Sequence, residues 1–442
     1  MKKLILSLIV IALIGYLYLD WDGSEPTVEW LDAPQEVGAK TAVSFQASDA
    51  GKGLARITVT LAQGGQRQVV FEERMARSWQ PWQEGTPQRA VAFQPVDALR
   101  GFPLAEQAFQ MEVEVEDHPS WLFFSRTSIL RGDFRYDATP PSISLQSTRH
   151  NIRQGGAEAV VYSVSDDTAD SGVLVAELTY RGFEMARLGS GRRICLLALP
   201  YNAGLDTAFK LWAVDAAGNR SETPLAVQVR SRRFRRDTVR IQDSFIDKVA
   251  PEILQRSNLT RPATHLETFL LINRDLRRRN HIQIEEISRR SASDLLWNQA
   301  FAQMRNSAVQ SSFADERTYL YQGQEIDQQT HLGFDLASTA ASPVEAANGG
   351  KVAFVGYLGI YGNCVILDHG LGLMSLYAHL SEISVALSQQ VRRGEPLGRT
   401  GETGLAGGDH LHFTMLVQGL PVNPLEWWDP AWVRNHVLGR LE

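Results

Sequence analysis

The sequence has 442 residues, 44% of them hydrophobic, with 44 Lys and Arg against 50 Asp and Glu for a formal net charge of -6. That length exceeds one ordinary domain and calls for roughly two to four, each able to bury its own core. The slightly acidic balance gives no overall basic field and argues against a nucleic-acid partner.

Lys2 and Lys3 precede an apolar run, residues 4–19. Sixteen helical residues cover about 24 Å, slightly less than a hydrocarbon core of about 30 Å, so length alone leaves a cleavable signal open. Bulky Tyr16, Tyr18, Leu19 and Trp21 stand where a small-x-small cleavage site would be needed. Residues 1–22 are therefore expected to be an uncleaved inner-membrane anchor, with the two lysines inside and the rest exported to the periplasm. The two cysteines, Cys195 and Cys364, make no disulfide framework and are expected as buried thiols.

Residues 25–137 and 138–230 repeat a pattern: a proline-led strand, an alternating strand ending in Ser-Asp, a glycine-bearing turn, another alternating strand, then one containing an aromatic residue. Two immunoglobulin-like sandwiches are expected. Gly218 and Asn219 supply turn positions, and Asp49, Asp166 and Asp167 read as turn formers rather than calcium ligands. The run "RSRRFRR", residues 230–236, reads as a solvated linker, with contact to an anionic wall polymer or membrane as the alternative.

Residues 231–312 read as a helical connector. Leu266, Phe269, Leu270 and Leu276 follow one helical face, and Pro262 fits a first helical turn. "ISRRSASDLLWNQAF" fits a helix or a turn equally well.

From residue 313 the strands are short and glycine-flanked, and five of the ten histidines fall between 331 and 412. In "GGDHLHFTML", His410, His412, Thr414 and Leu416 alternate with Leu411, Phe413 and Met415, so both imidazoles point to one face of a strand. In "HLGFDLAS", an even spacing puts His331 and Asp335 on one strand face, with Gly333 between them admitting close approach. His331, Asp335 and one histidine of the H-x-H make a two-nitrogen, one-oxygen set that suits zinc with a fourth position open.

"HLGFDLA", "SPVEAANGGKVAFVG", "YGNCVILDHG", "YAHL", "VRRGEPLGRTGETG", "GGDHLHF" and "PVNPLEW" occur in order. On these landmarks residues 313–430 resemble the catalytic domain of the lysostaphin-type, LytM-like zinc metallopeptidases, which cut peptide cross-links of bacterial peptidoglycan; residues 431–442 are a tail. The resemblance implies one Zn2+ held by His331, Asp335 and His412, with His379 and His410 as the catalytic, metal-free histidines. No H-E-x-x-H glutamate is present, which leaves proton handling to those two. It also implies that His369 is structural. Cys364 departs from the apolar residue usual after "YGN" and reads as a core thiol. Tyr319, Tyr321 and Tyr377 read either as groove-lining or as packed side chains.

The expected architecture is thus mostly β and multidomain: anchor, two immunoglobulin-like sandwiches, helical connector and LytM-like β-sheet domain. Its expected substrate is peptidoglycan, with the D-Ala to diaminopimelate link as the bond if the envelope is thin-walled. Two other readings stand beside it: a non-hydrolytic activator of a wall amidase, and a peptidase aimed at proteins. The sandwiches are expected to serve as spacers or as docking modules for an envelope protein.

Overall fold

The computed structural model describes residues 2–19, 22–76, 85–94, 104–120 and 124–441; Trp21 lies outside them. The architecture is mostly β, in several sheets. The first element is a helix, Lys2–Leu19, whose 18 residues span about 27 Å. Among the described residues no helix is long and apolar enough to cross a membrane. The chain divides into two compact units: residues 1–141 with 167–169 and 214–221, and residues 142–166, 170–213 and 222–442.

In the first unit, a three-stranded sheet (Thr27–Asp32, Val43–Ser48, Gln88–Phe93) and a five-stranded sheet containing Leu54–Gln63 and Ala108–Asp117 share one core. The period of two decides what each strand buries. Val43, Phe45 and Ala47 point inward from one sheet, and Met111, Val113 and Val115 from the other. Asp49 forms a turn as expected, its Oδ2 accepting from Gly51 N at 3.0 Å and Gly53 N at 2.7 Å.

The second repeat has two sheets of four strands each, one built around Ala157–Val164 and Arg192–Ala198, the other around Thr168–Val175 and Phe209–Asp215. Its core runs without a break into the C-terminal region: Tyr162, Ile194 and Leu211 belong to the same apolar cluster as Phe413, Trp427 and Val437. Two polar devices reinforce that junction. Gln418 bonds the backbone N and O of Arg181, each at 2.8 Å. Glu158, fully buried, accepts from Arg440 NH2 and His436 Nδ1, each at 3.0 Å. The tail is therefore pinned by a charge cluster, and Arg232, from the expected solvated run, turns inward to within 3.5 Å of Glu426.

The C-terminal region is organised by an antiparallel eight-stranded sheet. Its centre runs Phe334–Ala337, Leu411–Val417, Leu373–Ala378, Asn363–Asp368, Gly350–Tyr357. Every residue of Leu411–Val417 is buried, because both faces of the sheet are covered. Leu411, Phe413, Met415, Val365 and Leu367 pack toward the second repeat and the C-terminal helices. Their alternates Leu416, Cys364, Ile366, Met374 and Leu376 pack under a helical layer, Asp243–Arg256 and residues 265–288. Each fully buried aliphatic side chain contributes about 1.5–3 kcal/mol. Both cysteines are free and buried.

The 231–312 segment is more than a string of helices. Its strand Arg236–Ile241 runs parallel to Asp315–Tyr321 in a sheet completed by Gln324–His331. Pro262 lies before the helix it was expected to open: the helix starts at His265, where Thr264 and Glu267 form a capping box that supplies a better start than proline. Leu271–Leu276 is a π-turn, which shifts the apolar face so that Ile272 is buried alongside Phe269 and Leu276. Residues 289–307 contain no helix or strand.

Candidate metal centre and active site

Asp335 and His412 are direct cross-strand partners on the Phe334–Ala337 and Leu411–Val417 strands. His331 ends the preceding strand, Gln324–His331, which belongs to the other sheet. His331 and Asp335 therefore do not share one strand. The chain breaks at Leu332 and Gly333 because it crosses the His412 imidazole there: a Cβ on Gly333 would stand 2.7 Å from His412 Nε2 and 2.6 Å from Thr414 Oγ1. The three donors still converge. His331 Nε2 is 2.9 Å from Asp335 Oδ1 and 3.0 Å from His412 Nδ1, and His412 Nδ1 is 3.0 Å from Asp335 Oδ1.

The outer hydrogen bonds decide what faces inward. His331 Nδ1 donates to the Ser312 carbonyl at 3.0 Å. Thr414 Oγ1 donates to Leu332 O at 3.1 Å, so its remaining bond, 3.0 Å from His412 Nε2, must be one it accepts. With both outer nitrogens donating outward, His331 Nε2 and His412 Nδ1 face each other and a carboxylate oxygen, a set of donors that could hold a metal ion. The spacing approaches the edge of about 3.3 Å that a tetrahedron with ligands at 2.0–2.1 Å requires. Arg317 NH2 holds the other oxygen, Oδ2, at 3.0 Å.

The electrostatics agree. Burial opposes ionisation of Asp335, yet His331 and the neighbouring imidazoles, when they carry a proton, hold its carboxyl well below the usual range. Burial first, and His331 after it, push His412 down to about 4, so this imidazole is neutral and ready to ligate.

His379 and His410 stand beside the triad, with ring centres 4.8 Å apart. His379 follows the Leu373–Ala378 strand in a left-handed conformation (φ 61°), a costly geometry for a side chain that aims it across the pocket. Its Nδ1 donates to Thr403 O at 2.8 Å, and His410 Nδ1 donates to Gly408 O at 2.8 Å. Both Nε2 atoms are thereby turned inward, that of His410 to 3.5 Å from Asp335 Oδ1. Burial, then His410, keeps His379 well below its ordinary pKa. Burial works the same way on His410, but the bond to Asp335 and its charge outweigh it and raise that group.

All five residues expected from the sequence line one cavity of about 430 Å³. His369 does not: fully buried, it bonds Gly349 O at 2.6 Å and Ser375 Oγ at 2.7 Å. Tyr319 and Tyr377 are packed in the core, and Tyr321 donates to Asp243 Oδ1 at 2.6 Å. The tyrosine that does line the cavity is Tyr361, with its ring 5.6 Å from His412. Arg277 and Arg317 line it too. Neither arginine carries a local sequence signal; only the pairing of distant elements brings them there.

Residues 329–424 match the model of peptidase family M23. The DD-carboxypeptidase/endopeptidase Mpg of Neisseria meningitidis serogroup B is 44% identical over 95 residues, which are 22% of this chain and 22% of that protein. The peptidoglycan DD-endopeptidase ShyA of Vibrio cholerae is 38% identical over 96 residues, again 22% of each chain. The similarity thus spans about a fifth of the length of these relatives. A solved structure of a putative peptidase M23 from Pseudomonas aeruginosa overlaps 63% of this chain and 94% of its own, at 22% identity and a TM-score of 0.39. Residues 329–424 form a peptidase M23 domain of the lysostaphin and LytM type, carried near the C-terminal end of a mostly β, multidomain chain.

Proposed function

We propose that this chain is a zinc-dependent endopeptidase that hydrolyses peptide cross-links of bacterial peptidoglycan. The observation that carries the proposal is the convergence of His331 Nε2, His412 Nδ1 and Asp335 Oδ1 within 3.0 Å of one another. Two nitrogens and one oxygen suit zinc, and three protein ligands leave the fourth position that a catalytic site needs. When bound there, zinc supplies Lewis acidity and an acidified water at neutral pH.

The chain's own residues do the rest. Ser312 O and Thr414 fix the ligand tautomers, and Arg317 orients Asp335. His379 and His410, each anchored through Nδ1, present Nε2 to take a proton from the attacking water and return it to the leaving amine. The buried walls and Tyr361 limit water in the site, which strengthens every polar contact inside it.

In this reading residues 1–22 anchor the protein in the inner membrane and the M23 domain works in the periplasm. The two β repeats are immunoglobulin-like modules that reach toward the wall or an envelope partner. Lys2, Lys3 and the apolar run support the anchor.

The test is incubation of the purified full chain with sacculi, with and without chelator. Chelator-sensitive appearance of new amines on peptide stems, restored by zinc, is expected. Absence of release from several wall chemotypes, with metal seated at one per chain, would sink the hydrolase and leave the non-hydrolytic activator.

A further inference from the structure

A cavity of about 370 Å³ lies where the strand His150–Arg153 meets the C-terminal helices, and no residue lines both it and the metal centre. Three arginines open on it: Arg153, and Arg230 and Arg232 of the basic run 230–236. Arg153 and Arg230 are direct partners on the parallel strands His150–Arg153 and Val227–Arg230. Their side chains therefore leave one face from backbones about 4.8 Å apart. Gln154 fixes the chain that carries the other two: its N donates to Arg230 O at 3.1 Å, and its Oε1 accepts from Arg232 N at 3.1 Å.

Like charges set side by side on neighbouring strands repel. Little on the wall relieves these. Among the described residues neither Arg153 nor Arg230 is paired with a carboxylate, and Arg230 reaches a neutral oxygen, Gln228 Oε1, at 3.2 Å. Arg232 NH1 is buried and makes no hydrogen bond, with Glu426 Oε1 standing 3.5 Å away. The two carboxylates on the wall already serve backbone amides, Glu426 that of Ala157 at 3.0 Å and Asp429 that of Ala431 at 2.8 Å. Three guanidinium groups against two carboxylates leave the cavity with an excess of positive charge. Burial first, and the Arg153 charge against the help of Glu426, pull the Arg232 guanidinium below its ordinary value.

We infer that this cavity is a binding site for a phosphate group, with Arg153, Arg230 and Arg232 as its ligands. A phosphate presents an oxygen to each of three guanidinium forks and carries more than one negative charge, whereas a carboxylate has two oxygens and one charge and would leave one arginine unmet. The phosphate comes either as the free ion or as a monoester, whose carbon part would rest on the rim formed by Trp432 and half-exposed Leu425. The site stands on its own residues and does not depend on the hydrolase reading.

The experiment is calorimetric titration of the full chain, stripped of metal and desalted so that no phosphate can sit on an ion at His331, Asp335 and His412. The probes are inorganic phosphate, glucose 6-phosphate and acetate. At least one of the two phosphates should bind at one per chain with Kd below about 1 mM, and acetate at least about 10-fold more weakly. Arg153 and Arg230 are exposed, so Arg153→Gln and Arg230→Gln should keep the wild-type thermal unfolding while each weakens phosphate binding roughly 10-fold. Glucose 6-phosphate binding several-fold tighter than inorganic phosphate assigns the site to a monoester, and equal or weaker binding assigns it to the free ion. No saturable binding of either phosphate, acetate binding as tightly as phosphate, or undiminished affinity in both variants overturns the inference. Should one variant unfold, the other and the acetate comparison carry the same decision.

Discussion

His331 Nε2 and His412 Nδ1 lie 3.0 Å apart, each belonging to an imidazole whose other nitrogen already donates a hydrogen bond. With an Asp335 oxygen at the same distance from both, these nitrogens form the donor set that a bound metal would use. His412→Ala should therefore lose bound metal and activity together. His379→Ala removes no donor from the triad and should keep zinc at one per chain while turnover falls on the order of 10²- to 10⁴-fold. Metal analysis alongside amine release checks both, and a normal zinc content in His412→Ala would contradict the ligand set.

Thr414 is not among the residues that line the cavity, yet it sets the His412 tautomer by accepting from Nε2 while donating to Leu332 O. Thr414→Val keeps the shape and removes the acceptor, so zinc affinity should fall roughly 10- to 100-fold. Chelator competition reads this directly. Thr414→Ser, which retains the hydroxyl, should stay near wild type.

Glu426 accepts from Ala157 N at 3.0 Å and faces Arg232, yet burial outweighs both and raises its carboxyl to about 6 from an ordinary 4.5. A raised folded-state pKa gives stability that is complete below pH 4.5 and lost as pH rises through 6. The shift corresponds to about 2 kcal/mol. The unfolding free energy of wild type relative to Glu426→Gln should therefore fall by that order between pH 4.5 and 7 in urea titrations. A flat or rising difference would contradict the assignment.

Glu158 is fully buried against His436 and Arg440 of the tail. Glu158→Ala removes the buried carboxylate that Arg440 NH2 and His436 Nδ1 share and should destabilise the second unit by about 3–5 kcal/mol. Urea unfolding of the full chain measures the loss. Arg440→Ala leaves Glu158 with His436 and the Asn151 and Ala159 amides and should cost less.

Much of the site was legible in the sequence because a strand's period of two is a local property. The alternation from His410 to Leu416 set both imidazoles and Thr414 on one face, and the core divides along that alternation: Phe413 and Met415 to one side, Leu416 to the other. His331 and Asp335 converge despite lying on different strands, since Gly333 lets the break pass the His412 ring. Arg277, Arg317 and Tyr361 were not legible. They come from a helix, a strand and a 3-10 turn far apart in sequence, and their relation to the site exists only after the helical layer closes over the sheet. Pairing of Arg236–Ile241 with Asp315–Tyr321 is likewise a long-range event that no local pattern announces.

Gln418 and the continuous apolar seam from Tyr162 to Trp427 have a practical corollary for anyone who would excise the M23 domain. A fragment starting near residue 313 would present Phe413, Trp427 and their neighbours bare to solvent on one side, and the undersides of Ile366 and Leu376 on the other. Such a truncate should precipitate. A piece beginning near residue 142 retains the residues that cover both faces of the sheet.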